Sequence, residues 1–165
     1  MNKKNIVSLV ISVVMISLSL TSVTTVHAAT PDVQTFHNEG SFVGFDCGEF
    51  LVLQDFTEDV TVTTFFDKAG NPVRAQIHVR YDGTLTNSVT GLTLRDPARR
   101  TITVNLQNGT VTETGLFYGL TVPGRGIAVL DAGKVVFDAD GNVIFVGGPH
   151  QFLAGGEALI CAALS

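Results

Sequence analysis

Two histidines are the residues of this chain best suited to acid–base chemistry. His78 lies in a run where polar and apolar residues alternate, and His150 follows the sequence VGGP, whose glycines permit a close backbone approach. A histidine within hydrogen-bond reach of a carboxylate can act as a general acid or base, so His78 and His150 are the candidate catalytic residues. Each also has a structural interpretation, His78 on a solvated strand face and His150 in an ordinary loop.

Four further polar residues are candidates for ligand binding: Arg74, Arg80, Tyr81 and Tyr118. If the polar residues of the run 73–81 faced inward, their charges would need an acidic partner or ligand, because unpaired buried charge is costly. The opposite register instead buries the five apolar residues that alternate with them. We therefore expect His78 and Arg80 to face solvent, and the interior to contain no base and no nucleophile. No nucleophile, redox or metal-binding motif occurs in the sequence, and we predict no cofactor.

The phrase Phe-Asp-x-x-Gly-Asn occurs twice, as FFDKAGNPV at 65–73 and as VFDADGNVI at 136–144. The second copy suggests a calcium loop, because oxygen-bearing side chains alternate around Gly141. Such a loop also needs a glutamate about six residues after the glycine and a helix on each side. Here that position is Gly147, and the flanking runs are typical of strands. We predict two tight turns and no metal site, with Asp138 accepting backbone N–H bonds and Gly141 at positive φ.

The two cysteines, Cys47 and Cys161, lie near the two ends of the predicted domain. A disulfide between them would close almost the whole domain into one loop, which the chain-entropy model values at about 4–5 kcal/mol. Such bonds persist in exported proteins, and we predict that this one forms. The alternative is a pair of buried free thiols.

Residues 1–28 have the pattern of a secretory signal peptide. Lys3 and Lys4 precede the apolar run 6–20, and small residues in VHA favour cleavage after Ala28. We therefore predict a secreted, extracellular protein that does not insert into a membrane after cleavage. Loss of the two lysines leaves eight basic and fifteen acidic residues, a formal charge of −7. That charge argues against nucleic acid as a partner.

Short runs rich in valine and threonine, separated by glycine-containing turns, extend from residue 41 to the end. The turn sequences are KAGNP, YDGT, QNGT, DAGK and DADGN. About ten strands follow from this spacing. They predict an all-β fold, an antiparallel meander closed into a small β-barrel, with a two-sheet β-sandwich as the alternative. The segment GGEALICAAL fits either a last strand or a short helix. Residues 29–40 lack periodicity, so we expect a loose arm before a single all-β domain at 41–165.

Three stretches, GLTLRDPARRTITVNL, GKVVFDADGNVIFVGGPH and LICAALS, resemble a group of small secreted bacterial β-rich proteins without known activity. The resemblance covers most of the chain after the leader. It implies location and fold, and it assigns no catalytic residue. A small barrel of this size is also similar in outline to lipocalin-like and allene-oxide-cyclase-like barrels, by fold analogy only.

Three functions are compatible with these features. Export and the lack of catalytic motifs favour a secreted, non-catalytic binding or surface-interaction module, whose partner is a small apolar molecule or a cell-surface component. The second function is a small β-barrel isomerase or cyclase, in which His78 or His150 acts with a carboxylate. The third is an extracellular structural protein. The observation that best distinguishes these three functions is whether the interior is hollow or filled by the eleven phenylalanines.

Overall fold

The computed structural model describes residues 30–152 and 155–165, so the predicted signal peptide at 1–28 lies outside the described residues. The elements are β1 (Asp32–Asp46), β2 (Leu51–Phe66), β3 (Pro72–Asn87), β4 (Thr93–Asn105), β5 (Val111–Val122), β6 (Gly126–Phe137), β7 (Val143–Gly147) and the helix α1 (Glu157–Leu164). The strands form one antiparallel sheet in chain order, which confirms the all-β meander. Closure into a barrel is not confirmed, because β1 and β7 are the two edges and do not pair with each other among the described residues.

The strands are fewer and longer than the sequence predicts. The predicted turn YDGT lies inside β3, where Asp82 pairs with Pro97 of β4. The predicted turn DAGK lies inside β6, where Gly133 has a φ of 136° and a Cβ would sit 2.1 Å from the carbonyl oxygen of Gly147. These two turn predictions are wrong because pairing with strands on both sides outweighs the local turn preference of Asp and Gly.

The expected loose arm at 29–40 also differs from the structure. Residues 32–40 form the first part of β1, and the strand pairs with β2 from Asp32–Thr64 to Asp46–Leu51. Most of β1 is exposed on both faces, so the alternation of apolar and polar residues that marks a half-buried strand is missing. Backbone pairing at the sheet edge, rather than burial, therefore defines this element.

The buried core lies at the end of the sheet that α1 covers. Ile160 and Leu164 are four residues apart on one helix face, and both are fully buried. They pack against side chains from β2 to β6: Val52, Leu85, Leu94, Leu120 and Val129. Each such side chain contributes about 1.5–3 kcal/mol when fully buried. Of the two alternatives for the last segment, the helix is therefore the one that forms.

The predicted disulfide is confirmed. Cys47 follows β1 and Cys161 lies in α1, and the two residues are bonded with their Cα atoms 5.6 Å apart. The bond holds the helix at the end of the first strand. In the part of the chain that the structure describes, no helix combines the length and apolar character needed to cross a bilayer.

The turn interpretation of the repeated phrase is also confirmed. Asp138 Oδ1 accepts hydrogen bonds from the backbone N–H groups of Asp140 and Asn142 at 3.0 and 2.8 Å, and Gly141 has a φ of 82°. Asp67 accepts the equivalent bonds in the first copy. Hydrogen bonds from Asn142, led by its side-chain amide, lower the pKa of Asp138. These carboxylates are therefore occupied in stabilising their own turns.

Candidate functional site

The inward-facing positions of β4 build a polar site on the inner face of the sheet. Leu94, Asp96 and Ala98 alternate along the strand and are all buried, and Asp96 is only 2% exposed. Asp96 lies opposite Gly83 of β3, and Ala98 lies opposite Tyr81. The two-residue period of the strand thus carries a carboxyl group into the interior.

A cavity of about 360 Å³ adjoins this carboxyl group and is here called the Asp96 cavity. Most of its wall is aromatic, from Phe42, Phe45, Tyr81, Phe117, Tyr118 and Phe152. Its polar side chains are Gln54, Asp96 and Arg100. An apolar cavity with a few convergent polar groups is the usual form of a small-molecule site.

Asp96 lacks a partner for one of its oxygens. Within the described residues, two buried side-chain polar atoms have no hydrogen-bond partner, and these are Asp96 Oδ1 and Arg100 Nε. Burial raises the pKa of Asp96 to about 6, and a hydrogen bond from the backbone N–H of Gly119 offsets part of that rise. Both residues line the Asp96 cavity, although the two unpartnered atoms themselves have almost no accessible surface.

Gly119 can donate to Asp96 because β4 and β5 separate beside it. Their pairing runs from Val104–Val111 to Arg99–Leu116 and goes no further along β4. Pro97, just past that end, has no backbone N–H to continue the ladder. The separation frees backbone groups of β5 beside Asp96, and it is here that the carboxyl group finds its one donor.

Two tyrosines flank Asp96. Burial, with the nearby charge of Asp96 as the next cause, raises the pKa of Tyr118 to about 12. The ring of Tyr118 stacks on Phe152 with centroids 4.7 Å apart. Burial also raises the pKa of Tyr81, whose hydroxyl accepts a hydrogen bond from Gln54. Both tyrosines are therefore neutral at physiological pH and act as fixed, amphipathic walls.

Tyr81 owes its position to a glycine. Its ring lies across Gly83, where an added Cβ would be only 2.6 Å from the nearest ring atom. The ring also stacks on Phe56, with centroids 5.6 Å apart. The Asp-Gly pair that resembles a turn in the sequence thus makes room for a cavity wall.

A second chamber of about 200 Å³ lies beside the first and shares four of its lining residues, which are Arg100, Phe117, Tyr118 and Phe152. It contains a buried pair, with His150 Nδ1 and Asp131 Oδ1 2.8 Å apart and their side chains 5% and 4% exposed. Asp131 Oδ2 accepts the backbone N–H of Phe152 at 2.8 Å. The other ring nitrogen of His150 lies 3.3 Å from the carbonyl oxygen of Gly147. Both nitrogens of His150 are therefore occupied, which favours a structural role over that of a free base.

The pair fixes the segment 148–152, here called the strap, to β6. Asp131 and His150 form an isolated bridge, and the N–H of Ala132 donates to the carbonyl of Pro149 at 2.8 Å. Gln151 continues the contact, because its side-chain oxygen accepts the N–H of Leu130 at 2.7 Å. The strap leads from β7 toward α1 and brings Phe152 to the wall of both chambers.

The structure separates the residues that the sequence singles out. His78 is exposed on the outer face and contacts Thr101 Oγ1 at 3.0 Å. Arg74 lies over the ring of Phe65, and Arg80 is 3.8 Å from Asp82 and mostly exposed. Tyr81, Tyr118 and His150 instead line the interior chambers.

The expectation of an interior without a base is wrong. Four carboxylate or imidazole side chains line the two chambers, together with Arg100: Asp96, Glu113, Asp131 and His150. Asp96 escapes sequence analysis because Asp-Pro-Ala resembles a turn, and Arg100 because it belongs to an apparent surface pair. The signal that could have found them is the strict alternation of positions 94, 96, 98 and 100.

No family model matches this sequence, and comparisons with curated proteins and with solved structures found no significant similarity. The function must therefore be argued from the geometry of the chain itself.

Proposed function

We propose that this protein is a secreted, non-catalytic binding module that holds a small, mainly apolar ligand in the Asp96 cavity. The observation that carries the proposal is a cavity with mainly aromatic walls, lined also by the carboxyl-bearing residue Asp96. Its volume of about 360 Å³ lies in the range of known ligand sites, roughly 300–1,000 Å³. Four phenylalanines line this cavity without filling it: Phe42, Phe45, Phe117 and Phe152.

The arrangement around the cavity supports a curved sheet that closes incompletely into a barrel. The end of β1 approaches the strap, since the rings of Phe45 and Phe152 have centroids 6.1 Å apart. The Cys47–Cys161 bond links the same two regions. That disulfide, together with the predicted leader at 1–28, supports function outside the cytoplasm.

Binding of the neutral fluorescent dye N-phenyl-naphthylamine to the oxidised protein tests the proposal. Ala98→Leu places a larger side chain in the cavity wall, and we expect it to weaken dye binding by about tenfold or more. Arg95→Leu introduces the same side chain at an exposed position on the outer face of the same strand, and it should leave binding unchanged. Urea unfolding of both variants shows that each is folded. Failure of the wild type to bind the dye, or equal binding by both variants, would refute the proposal.

A second candidate function is an isomerase or cyclase in which Asp96, rather than His78 or His150, moves the proton. It is supported by the pKa of Asp96, about 6, which suits a general acid–base group near neutral pH. NMR can follow whether the α-protons of a small ketone exchange with deuterium oxide in the presence of the protein. A binding module predicts no acceleration, whereas acceleration that disappears in Asp96→Asn would make the enzyme the leading function.

A further inference from the structure

Resting on the proposed function, we infer that the ligand of the Asp96 cavity is a neutral ring compound with a hydroxyl group that hydrogen-bonds the carboxyl group of Asp96. The starting observation is that Asp96 lines the cavity and that its Oδ1 is buried and unpartnered, whereas buried polar atoms in native proteins nearly always have partners. Oδ1 itself has almost no accessible surface, so binding requires the carboxyl group to rotate toward the cavity that Asp96 lines. A ligand group is the partner that completes the site.

The chemistry of a carboxyl group selects the hydroxyl. An ionised carboxylate only accepts hydrogen bonds, whereas a protonated one also donates through its O–H. A hydroxyl group both donates and accepts, so it matches Asp96 in either state. An ether or a hydrocarbon cannot donate, and either would leave a carboxylate oxygen buried without a partner, which is costly.

The charges around the cavity argue against an ionised ligand. An anion would be repelled by Asp96 and would find only Arg100, whose guanidinium already lies 3.9 Å from Glu113. A cation would share the cavity with Arg100. A neutral ligand avoids both costs, and an oxygen acceptor elsewhere on it could also satisfy Arg100 Nε.

The aromatic walls of the cavity favour a ligand that contains a ring. Tyr81 and Tyr118 are each stacked on a phenylalanine and held in fixed orientations beside Asp96. Flat aromatic surfaces bind flat apolar rings through offset or edge contacts. A compound of one or two rings also fits a volume of about 360 Å³.

Displacement of N-phenyl-naphthylamine by matched compounds tests the inference. We expect para-hydroxyacetophenone to bind about tenfold or more tightly than para-methoxyacetophenone, because only the first can donate to Asp96. Asp96→Ala removes the carboxyl group without adding bulk to the cavity wall, so the two compounds should compete equally for the dye binding that this variant retains. Asp96→Asn, which keeps an oxygen acceptor, should retain part of the preference for the hydroxyl compound.

The outcomes separate the inference from the proposed function. If the dye binds but the two acetophenones compete equally, the inference fails and the binding module stands. Tightest competition by the cation para-methoxybenzylamine or the anion para-hydroxybenzoate would also overturn the neutral hydroxyl ligand. If neither dye nor competitor binds, the proposed function itself fails.

Discussion

Asp96 and Asp131 are two buried carboxyl groups on the inner face of the same sheet, 2% and 3% exposed. Both act on Tyr118, whose pKa each of their charges raises. Asp131 has a partner for each oxygen, His150 and the backbone N–H of Phe152. Asp96 has one oxygen with no partner. The difference indicates that Asp131 holds the scaffold together, and Asp96 is the group that we propose a ligand contacts.

The cause of the difference lies in what each strand faces. Asp131 lies on β6 beside the strap, which supplies both of its partners. Asp96 lies on β4 where pairing with β5 has ended, so only Gly119 reaches it. Both carboxyl groups thus line a chamber, but only Asp131 has chain groups bonded to both of its oxygens.

Loss of the Asp131 carboxylate should have the largest effect. We expect Asp131→Ala to lower the free energy of unfolding by about 3–5 kcal/mol, because it leaves His150 and the Phe152 N–H buried without a partner. Urea unfolding of the oxidised protein at neutral pH measures this. Asp82→Ala is the control, since Asp82 contacts three arginines at the surface and should contribute no more than about 1 kcal/mol. Equal losses of unfolding free energy in the two variants would contradict the structural role assigned to Asp131.

Asp96→Asn should have a smaller effect of opposite sign. The pKa of Asp96 in the folded wild type is about 6, against 3.8 for an ordinary aspartate, so the folded state binds the proton more tightly than the unfolded state. The wild type should therefore lose stability, relative to the variant, as pH rises from about 4 to 6, by at most about 3 kcal/mol. Below about pH 4 both side chains are neutral and this advantage of the variant should vanish. Urea midpoints across this range test the sign, and a variant less stable than the wild type at about pH 7.5 would contradict it.

The two candidate histidines should differ in their effect on stability, and His78 should have the smallest effect. His78 is exposed and outside both chambers, so His78→Ala should change the free energy of unfolding by no more than about 0.5 kcal/mol and leave dye binding intact. His150→Ala should cost more, because it breaks the buried pair with Asp131. Loss of dye binding in a folded His78→Ala protein would show that the outer face contributes to the site.

The sequence predicts those parts of the molecule that depend on local pattern. Alternation along 73–81 places His78 and Arg80 outside, and the residues of DADGN specify their own turn. The sequence does not predict elements whose conformation depends on pairing with adjacent strands. Edge pairing makes a strand of 32–40 without burial, and two flanking strands extend β3 through Asp82 and Gly83.

The candidate site is hidden for a related reason. Asp96 precedes a proline, a combination typical of turns, and its role follows from a separation between β4 and β5 that no local pattern encodes. His150 is singled out by residue type, but its structural role depends on Asp131 and Gly147 being brought to it. The groups that the fold brings close to each carboxylate, rather than the residue type, distinguish Asp131 from Asp96.

Carbon-detected NMR titration of the Asp96 side-chain carboxyl, with and without para-hydroxyacetophenone, shows whether this group is buried and whether a ligand reaches it. We predict a midpoint near pH 6 in the free protein. We predict a lower midpoint in the complex, because a donated hydrogen bond stabilises the carboxylate. A midpoint near 3.8 that the compound does not move would contradict the claim that Asp96 is a buried group left free for a ligand.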